Sequence, residues 1–266
     1  MLWQGRKIRL LFVHSESNDT ESEPKITART VRDSLVRPAA IGHQRKRWSR
    51  LANNWEAGGA KGLFTVVEKV LSTSRVESST VAIDLGTGTG QLALPLAQKA
   101  AKVWAVDISQ SMLDLLLENA KAQGITNIET MACAIETIEF PAQSIDLVVT
   151  NYVLHHLLDS DKAQTVRKIA QWLKPGGQLV MGDMMFGRGS DSRDRQIILN
   201  KIVQMARKGP AGWWRIAKNI WRFSARIQER PVRIDVWEKY LTDAGFVNIT
   251  SEPIIAEAVV MSAYRP

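Results

Sequence analysis

The chain has 266 residues, of which 45% are hydrophobic, so it can bury one core of ordinary size. Its single cysteine, Cys133, excludes a disulfide framework and a cysteine-rich zinc site, and the four histidines form no visible metal cluster. No apolar run approaches the ~18 residues of a membrane span, and the apolar stretch near the start is shorter than the roughly 7 residues of a secretory leader. We therefore expect a cytoplasmic protein in which residues 1–40 form a loose tail.

The net charge of +8 is concentrated in two segments of the chain. Residues 25–50 hold eight Lys or Arg and one acid, and residues 184–233 hold twelve and three. Charge of this kind affects association rather than fold. Nucleic acid, an anionic membrane surface, an acidic substrate and a solvated basic face all remain open.

Between residues 62 and 183, segments with helical spacing alternate with short apolar strands. In chain order, helices are predicted in "GLFTVVEKVL", "GQLALPLAQKA", "SQSMLDLLLENAKAQG" (with Ser109 as N-cap) and "SDKAQTVRKIAQWL". Strands are predicted in "TVAIDLG", "KVWAVDIS", "NIETMACAI", "IDLVVTNYV" and "QLVMGDM". This alternation predicts an α/β fold with a parallel sheet and helices on both of its faces.

Four predicted strands end in a polar residue: Asp84, Asp107, Asn151 and Asp183. In a parallel α/β sheet, ligands bind beyond the carboxyl ends of the strands, so these residues mark a candidate site. The acid Asp107 could accept hydrogen bonds from a ribose diol, which NAD and S-adenosylmethionine both carry.

The loop "AIDLGTGTG" follows the first of these strands. Gly86 and Gly88 fit the first two places of a dinucleotide fingerprint, but Gln91 stands at the third. A short-chain dehydrogenase would need a tyrosine with a lysine four residues later for its reaction. No tyrosine of this chain is followed by such a lysine, so the sequence lacks the catalytic residues of that class.

The segments "AIDLGTGTG", "VWAVDIS", "IEFPAQSIDLVVTNYVLHHL" and "LKPGGQLVMGD", in this order and spacing, resemble the class I S-adenosylmethionine-dependent methyltransferases. The resemblance covers about residues 48–183 and is nearest to the group that methylates quinones and other small molecules. It implies a Rossmann-like, doubly wound, seven-stranded sheet, mostly parallel with an antiparallel last strand. It also implies S-adenosylmethionine as cofactor and S-adenosylhomocysteine as product.

The resemblance assigns the methionine and ribose parts of the cofactor to the first two strand ends. The loop with Gly86, Thr87, Gly88 and Gly90 would approach the methionine part, and Asp84 would face its amino group. Asp107 would hold the two ribose hydroxyls. Asn151 would offer its main-chain carbonyl to the methionine amine.

The adenine would lie between Ile108 and Met112. Many relatives carry an acid that accepts from the adenine amino group, but this chain has Ala134 at that position. The adenine would then depend on the main chain at Ile135, or Glu136 would reach it. In "WSRLANNWE", Trp55 would pack over the cofactor.

Methyl transfer from a sulfonium is a direct displacement, so alignment of the reacting atoms can supply most of the catalysis. A base is needed only when the acceptor atom carries a proton. His155 or His156, after the Asn151 strand, could supply it, and so could Asp183. His155 and Asp183 are the first candidates for that role.

The resemblance and the charge pattern together predict five parts. Residues 1–40 form the tail, 41–75 the helices over the cofactor, 76–183 the binding core, 184–233 a basic helical cap, and 234–266 the end of the sheet. Within the cap, residues 212–227 are strongly amphipathic, which is typical of a helix that closes an active site or lies on anionic lipid.

We expect methylation of a small apolar or aromatic molecule. The alternatives are an RNA methyltransferase that uses the basic segments, a membrane-associated lipid or quinone methyltransferase, and a non-catalytic cofactor-binding module.

Overall fold

The computed structural model describes residues 41–50, 61–187, 189, 192–207, 209 and 230–266. Over these residues the centre is a seven-stranded sheet in the order β3-β2-β1-β4-β5-β7-β6. The strands are β1 (Val81–Leu85), β2 (Lys102–Asp107), β3 (Ile128–Ala132), β4 (Ile145–Asn151), β5 (Leu173–Met184), β6 (Val247–Pro253) and β7 (Ala258–Tyr264). Strands β1 to β5 pair in parallel, and β7 runs antiparallel to both β5 and β6. The predicted sheet, with its antiparallel last strand, is confirmed.

Helices pack on both faces of the sheet. They are α1 (41–50), α2 (Lys61–Thr73), α3 (Ala93–Ala97), α4 (Gln110–Ala122), α5 (Asp159–Trp172), α6 (Ser192–Ala206) and α7 (Ile234–Asp243). Trp172 of α5 and Trp237 of α7 belong to the core on one face, while Val66 of α2 and Leu96 of α3 belong to the core on the other. Both cores are stabilised by the burial of apolar side chains, which is the main favourable contribution to the free energy of folding.

The helix predicted after the glycine loop is shorter than the pattern suggested. A run of turns follows Gly86, and α3 begins only at Ala93. Gly88 and Gly90 have φ angles of 55° and 98°, which a right-handed helix cannot include. Pro95 is the third residue of α3, where its missing N–H breaks no helical hydrogen bond.

Helix α4 begins directly after Ser109, as predicted, but the Ser109 hydroxyl does not cap it. The hydroxyl is buried and lies 3.1 Å from the Ser49 hydroxyl of α1. The capping prediction was therefore right about the position and wrong about the contact.

The strand order reverses between β1 and β4, since β1 pairs with β2 on one side and with β4 on the other. The carboxyl ends of β1, β2, β4 and β5 meet at this edge of the sheet. A cleft at such a switch point is the usual ligand site of open α/β sheets.

Both ends of the segment 184–233 are tied to the core. Where it leaves β5, the Met185 N–H donates to the Glu257 carbonyl at 2.9 Å. Where it returns, the Arg230 N–H donates to the His155 carbonyl at 2.7 Å. Helix α6 lies in this segment, and residues 212–227 and 1–40 are outside the described residues. No helix in the described ranges is long and apolar enough to cross a membrane.

Candidate active site

A cleft opens at the switch point. Its wall contains nine of the residues that the sequence assigned to the cofactor: Asp84, Gly86, Thr87, Gly88, Asp107, Ile108, Met112, Ile135 and Asn151. They come from the ends of β1, β2 and β4, from the loops after β1, β2 and β3, and from the first turn of α4. The parallel strands therefore bring together residues that lie up to 67 positions apart in the chain.

The glycine loop is packed tightly on one side and open on the other. A Cβ on Gly86, whose φ is 74°, would lie 2.3 Å from Cγ2 of Val153. A Cβ on Gly88 would meet nothing within 4 Å, so this residue faces the open cleft. Gly90 does not line the cleft, because it packs against Leu94, whose Cγ would be 2.9 Å from a Cβ there. Gly90 thus shapes the loop from behind.

The Asp84 carboxyl is buried at the bottom of the loop. The Thr87 hydroxyl donates to it at 2.7 Å. Burial raises its pKa from 3.8 to about 7, although the hydrogen bonds from Thr87 and from the Ala93 N–H lower it in part. A cationic group in the cleft would favour the ionised form, so Asp84 suits a ligand that carries an ammonium.

The Asp107 carboxylate joins two loops. Its Oδ2 accepts from the Gly88 N–H at 3.0 Å, and its Oδ1 accepts from the Ser109 N–H at 2.8 Å. Burial raises the pKa of this carboxyl in spite of these bonds. Each oxygen keeps a further lone pair, which suits the two hydroxyls of a ribose.

The far end of the cleft is apolar. Ile108, Met112 and Ile135 line it, together with Ala134 and Glu136 from the loop after β3. Burial of flat apolar rings between such side chains is favourable, and a purine base fits this description.

A residue that the sequence did not reveal fixes the loop after β3. The Lys168 ammonium donates to the carbonyls of Glu136 and Ile138 at 3.1 and 3.2 Å and pairs with Glu139 at 2.5 Å. Lys168 lies on α5, about thirty residues later in the chain. No local pattern could have pointed to it.

Asn151 offers the cleft a second acceptor. Its side-chain Oδ1 is buried and has no hydrogen-bond partner within the described ranges. Gly182 on β5 leaves room for it, since a Cβ there would come within 2.8 Å of that oxygen. Buried polar atoms are normally paired, so a ligand donor would complete this one. The sequence had assigned the main-chain carbonyl instead.

His155 and Asp183 bind each other instead of lining the cleft. The His155 Nδ1 lies 2.5 Å from Asp183 Oδ1, and the carboxylate also accepts the N–H groups of His155 and Met184 at 3.0 and 2.7 Å. Both side chains are buried. Neither side chain therefore reaches the cleft directly, as a base for the acceptor would have to.

The neighbouring histidine, His156, does line the cleft. Its ring centroid lies 3.9 Å from that of His155 and 5.5 Å, edge to face, from that of Trp48. The three-residue 3₁₀ turn Leu154–His156 sets which imidazole faces inward.

Helix α1 lies across the opening of the cleft. Gln44 and Trp48, one turn apart, line it, and the Gln44 amide donates to the His156 carbonyl at 3.1 Å. Trp55, expected to pack over the cofactor, lies outside the described residues. Trp48 comes from the same "WSRLANNWE" segment and provides an aromatic wall.

Tyr152 has a φ of 55°, an unusual conformation for a bulky residue. It lines the cleft and packs against the apolar cluster of Met184, Phe186 and Ile197. Burial, Glu257 and Asp183 raise the pKa of its phenol, which stays neutral. Strained backbone of this kind collects at functional sites.

A family model described as a methyltransferase domain matches residues 82–177. These residues hold the glycine loop and the strand-end residues Asp84, Asp107 and Asn151 that line the cleft. Residues 82–177 therefore carry a methyltransferase domain, and the sheet has the fold of the class I S-adenosylmethionine-dependent methyltransferases.

Two curated relatives and one solved structure show the extent of the likeness. An uncharacterized methyltransferase of Geobacillus sp. (strain WCH70) is 27% identical over 186 residues, 69% of this chain and 78% of its own. Phosphoethanolamine N-methyltransferase 3 of Arabidopsis thaliana is 31% identical over 121 residues, 44% of this chain but 24% of its own. The crystal structure of a SAM-dependent methyltransferase from Aquifex aeolicus shares the fold, with a TM-score of 0.55 and 17% identity over 81% of this chain and 98% of that one.

S-adenosylmethionine is the cofactor of this methyltransferase, and the cleft fits it. Asp84 and the unpaired Asn151 oxygen can accept from its ammonium, Asp107 can accept from its ribose, and the apolar end can hold its adenine. The individual contacts remain predictions.

Proposed function

We propose that the enzyme methylates a small apolar or aromatic molecule. The observation that carries this proposal is the position of Tyr152, which lines the cofactor cleft and packs against Met184, Phe186 and Ile197. An acceptor held on this apolar side would reach the cleft beside Tyr152.

The bound cofactor supplies a methyl group on a positively charged sulfur. The protein contributes binding, orientation and exclusion of water. Asp84, Asp107 and the glycine loop fix the cofactor, and Trp48 of α1 covers the opening. Holding two reactants in line can supply several kcal/mol of the barrier reduction, on the order of 7 or more.

An acceptor atom that carries a proton needs a group that removes it. We propose His156 for this step, because its ring lines the cleft. The His155–Asp183 pair would act as a positioning pair behind it, since the two imidazole rings are in contact. The sequence had named His156 as a possible base and placed His155 and Asp183 ahead of it.

Methyl-labelled S-adenosylmethionine tests the proposal against a panel of acceptors. The panel holds phenols, quinols and aromatic amines, with total tRNA and phosphoethanolamine (the substrate named for the plant relative) as polar comparisons. We expect label in an organic extract of the apolar acceptors. Label only in acid-precipitated RNA, or only on phosphoethanolamine, would contradict the proposal. Binding of S-adenosylhomocysteine with no transfer to any acceptor would favour a non-catalytic module.

A further inference from the structure

Helix α6 presents one exposed face with an ordered pattern. Arg195, Leu199 and Val203 of α6 and Arg207, the residue directly after it, follow each other at intervals of four residues. They form a single row, here called the α6 stripe. All four are exposed, and the two apolar members are 59% and 46% exposed. Two arginines therefore flank an apolar centre on the same surface.

The opposite face of α6 packs against the interior of the protein. Ile197 is buried in the cluster with Met184 and Phe186. Asp194, the only acid of the helix, is buried, and its carboxylate accepts the Gly187 N–H at 2.8 Å. Since the acid faces inward, the exposed charge of α6 is entirely positive.

The sequence around α6 also combines basic residues with apolar ones. The segment 184–233 carries twelve basic and three acidic residues. Residues 212–227 follow α6 in the chain and have an amphipathic pattern with tryptophans on one side. Basic side chains beside exposed apolar ones are typical of helices that lie on anionic lipid.

We propose that the α6 stripe is a docking surface for an anionic membrane. Leu199 and Val203 would enter the boundary between headgroups and acyl chains, while Arg195 and Arg207 would contact lipid phosphates. Each basic residue near such a surface adds attraction. Charge complementarity selects this partner, and the apolar centre separates it from RNA, whose phosphates would use the arginines alone.

Docking through α6 would also place the lipid beside the proposed acceptor side, because Ile197 on the inner face belongs to that apolar cluster. This consequence rests on the proposed function, whereas the docking itself does not.

Vesicle flotation of the full chain tests the proposal. Vesicles of phosphatidylcholine alone are compared with vesicles that also contain phosphatidylglycerol. The double variant Leu199→Asp with Val203→Asp is compared with Leu117→Asp, which changes a leucine 41% exposed on α4. Calorimetry with S-adenosylhomocysteine on each variant reports the fold and the cofactor cleft separately from the membrane surface.

We expect the wild type to float only with the anionic vesicles. The α6 double variant should lose about tenfold or more in partitioning, since two apolar side chains no longer enter the bilayer, and Leu117→Asp should keep it. Cofactor binding should be equal in all three. Should the aspartates unfold the chain, Leu199→Asn with Val203→Thr removes the apolar centre more gently and must show the same direction of loss.

Several results would overturn the proposal. One is equal flotation with both kinds of vesicle, or none with either. Another is undiminished flotation of the α6 variants, especially if Trp221→Asp abolishes it, which would assign docking to residues 212–227 alone. Binding to RNA instead of vesicles would assign the basic face to nucleic acid. A dimer that the double variant dissociates, without vesicle binding, would assign the stripe to a second copy of the chain.

Discussion

Affinity for S-adenosylhomocysteine should rise with pH, because Asp84 has a pKa of about 7 in the protein without ligand. The ligand's ammonium favours the carboxylate, so binding requires the ionised form. About one tenth of Asp84 is ionised at roughly pH 6 and about nine tenths at roughly pH 8. The apparent dissociation constant should therefore fall about tenfold over this interval, which is about 1.4 kcal/mol.

Calorimetry measures this effect in two independent ways. The affinity gives the tenfold change directly. Repeating the titration in buffers of different ionisation enthalpy counts protons, and we expect close to one proton released per ligand bound at the lower pH. Asp84→Asn is the control, because its amide does not titrate: its affinity should be lower and independent of pH over this range.

The same shift has a consequence for folding. The pKa of Asp84 is higher in the folded protein than the unfolded value of 3.8, so the native state binds more protons between these values. Its contribution to stability is complete below pH 3.8 and is lost as the pH rises through about 7. The ligand removes this loss, and thermal stabilisation by S-adenosylhomocysteine should grow with pH. Constant affinity of the wild type, with no proton release, would refute the assignment of Asp84 to the ammonium.

Three further predictions concern the walls of the cleft. Gly86→Ala should destabilise the protein by about 3 kcal/mol in urea unfolding and Gly88→Ala by about 1 kcal/mol, because both acquire a strained φ but only the first collides with a valine side chain; equal losses would contradict the close packing. Tyr152→Gly should be about 1 kcal/mol more stable than Tyr152→Ala in the same assay, since glycine accepts the φ of 55°; the reverse order would show that the backbone is not strained. Trp48→Ala should weaken S-adenosylhomocysteine binding about tenfold in calorimetry, whereas the exposed Arg50→Ala on the same helix should leave it unchanged; equal affinity of both variants would place α1 away from the ligand.

The fold and most of the cleft could be predicted because they follow from short-range patterns. Asp84, Asp107 and Asn151 each end a strand, and parallel strands bring their carboxyl ends to one edge. The glycine loop adds the positive φ angles that only a few residue types accept. These features depend on the residues next to each other in the chain.

The remainder depends on contacts between distant residues. Lys168 acts on a loop thirty residues away, and its type is ordinary for a helix. Which of His155 and His156 faces the cleft depends on a single 3₁₀ turn. Asp183 lies at the end of its strand as predicted. Because its carboxylate is buried, it needs hydrogen-bond partners within the protein. The His155 ring and two main-chain N–H groups provide them.

The two main-chain hydrogen bonds at Met185 and Arg230 fix where the segment 184–233 leaves and rejoins the core. The separation of these anchor points does not depend on how many residues lie between them. The segment also contains α6, which packs inward through Ile197 and Asp194. A segment transplanted from a relative would therefore have to match the two anchor points and these inward contacts, rather than any particular length.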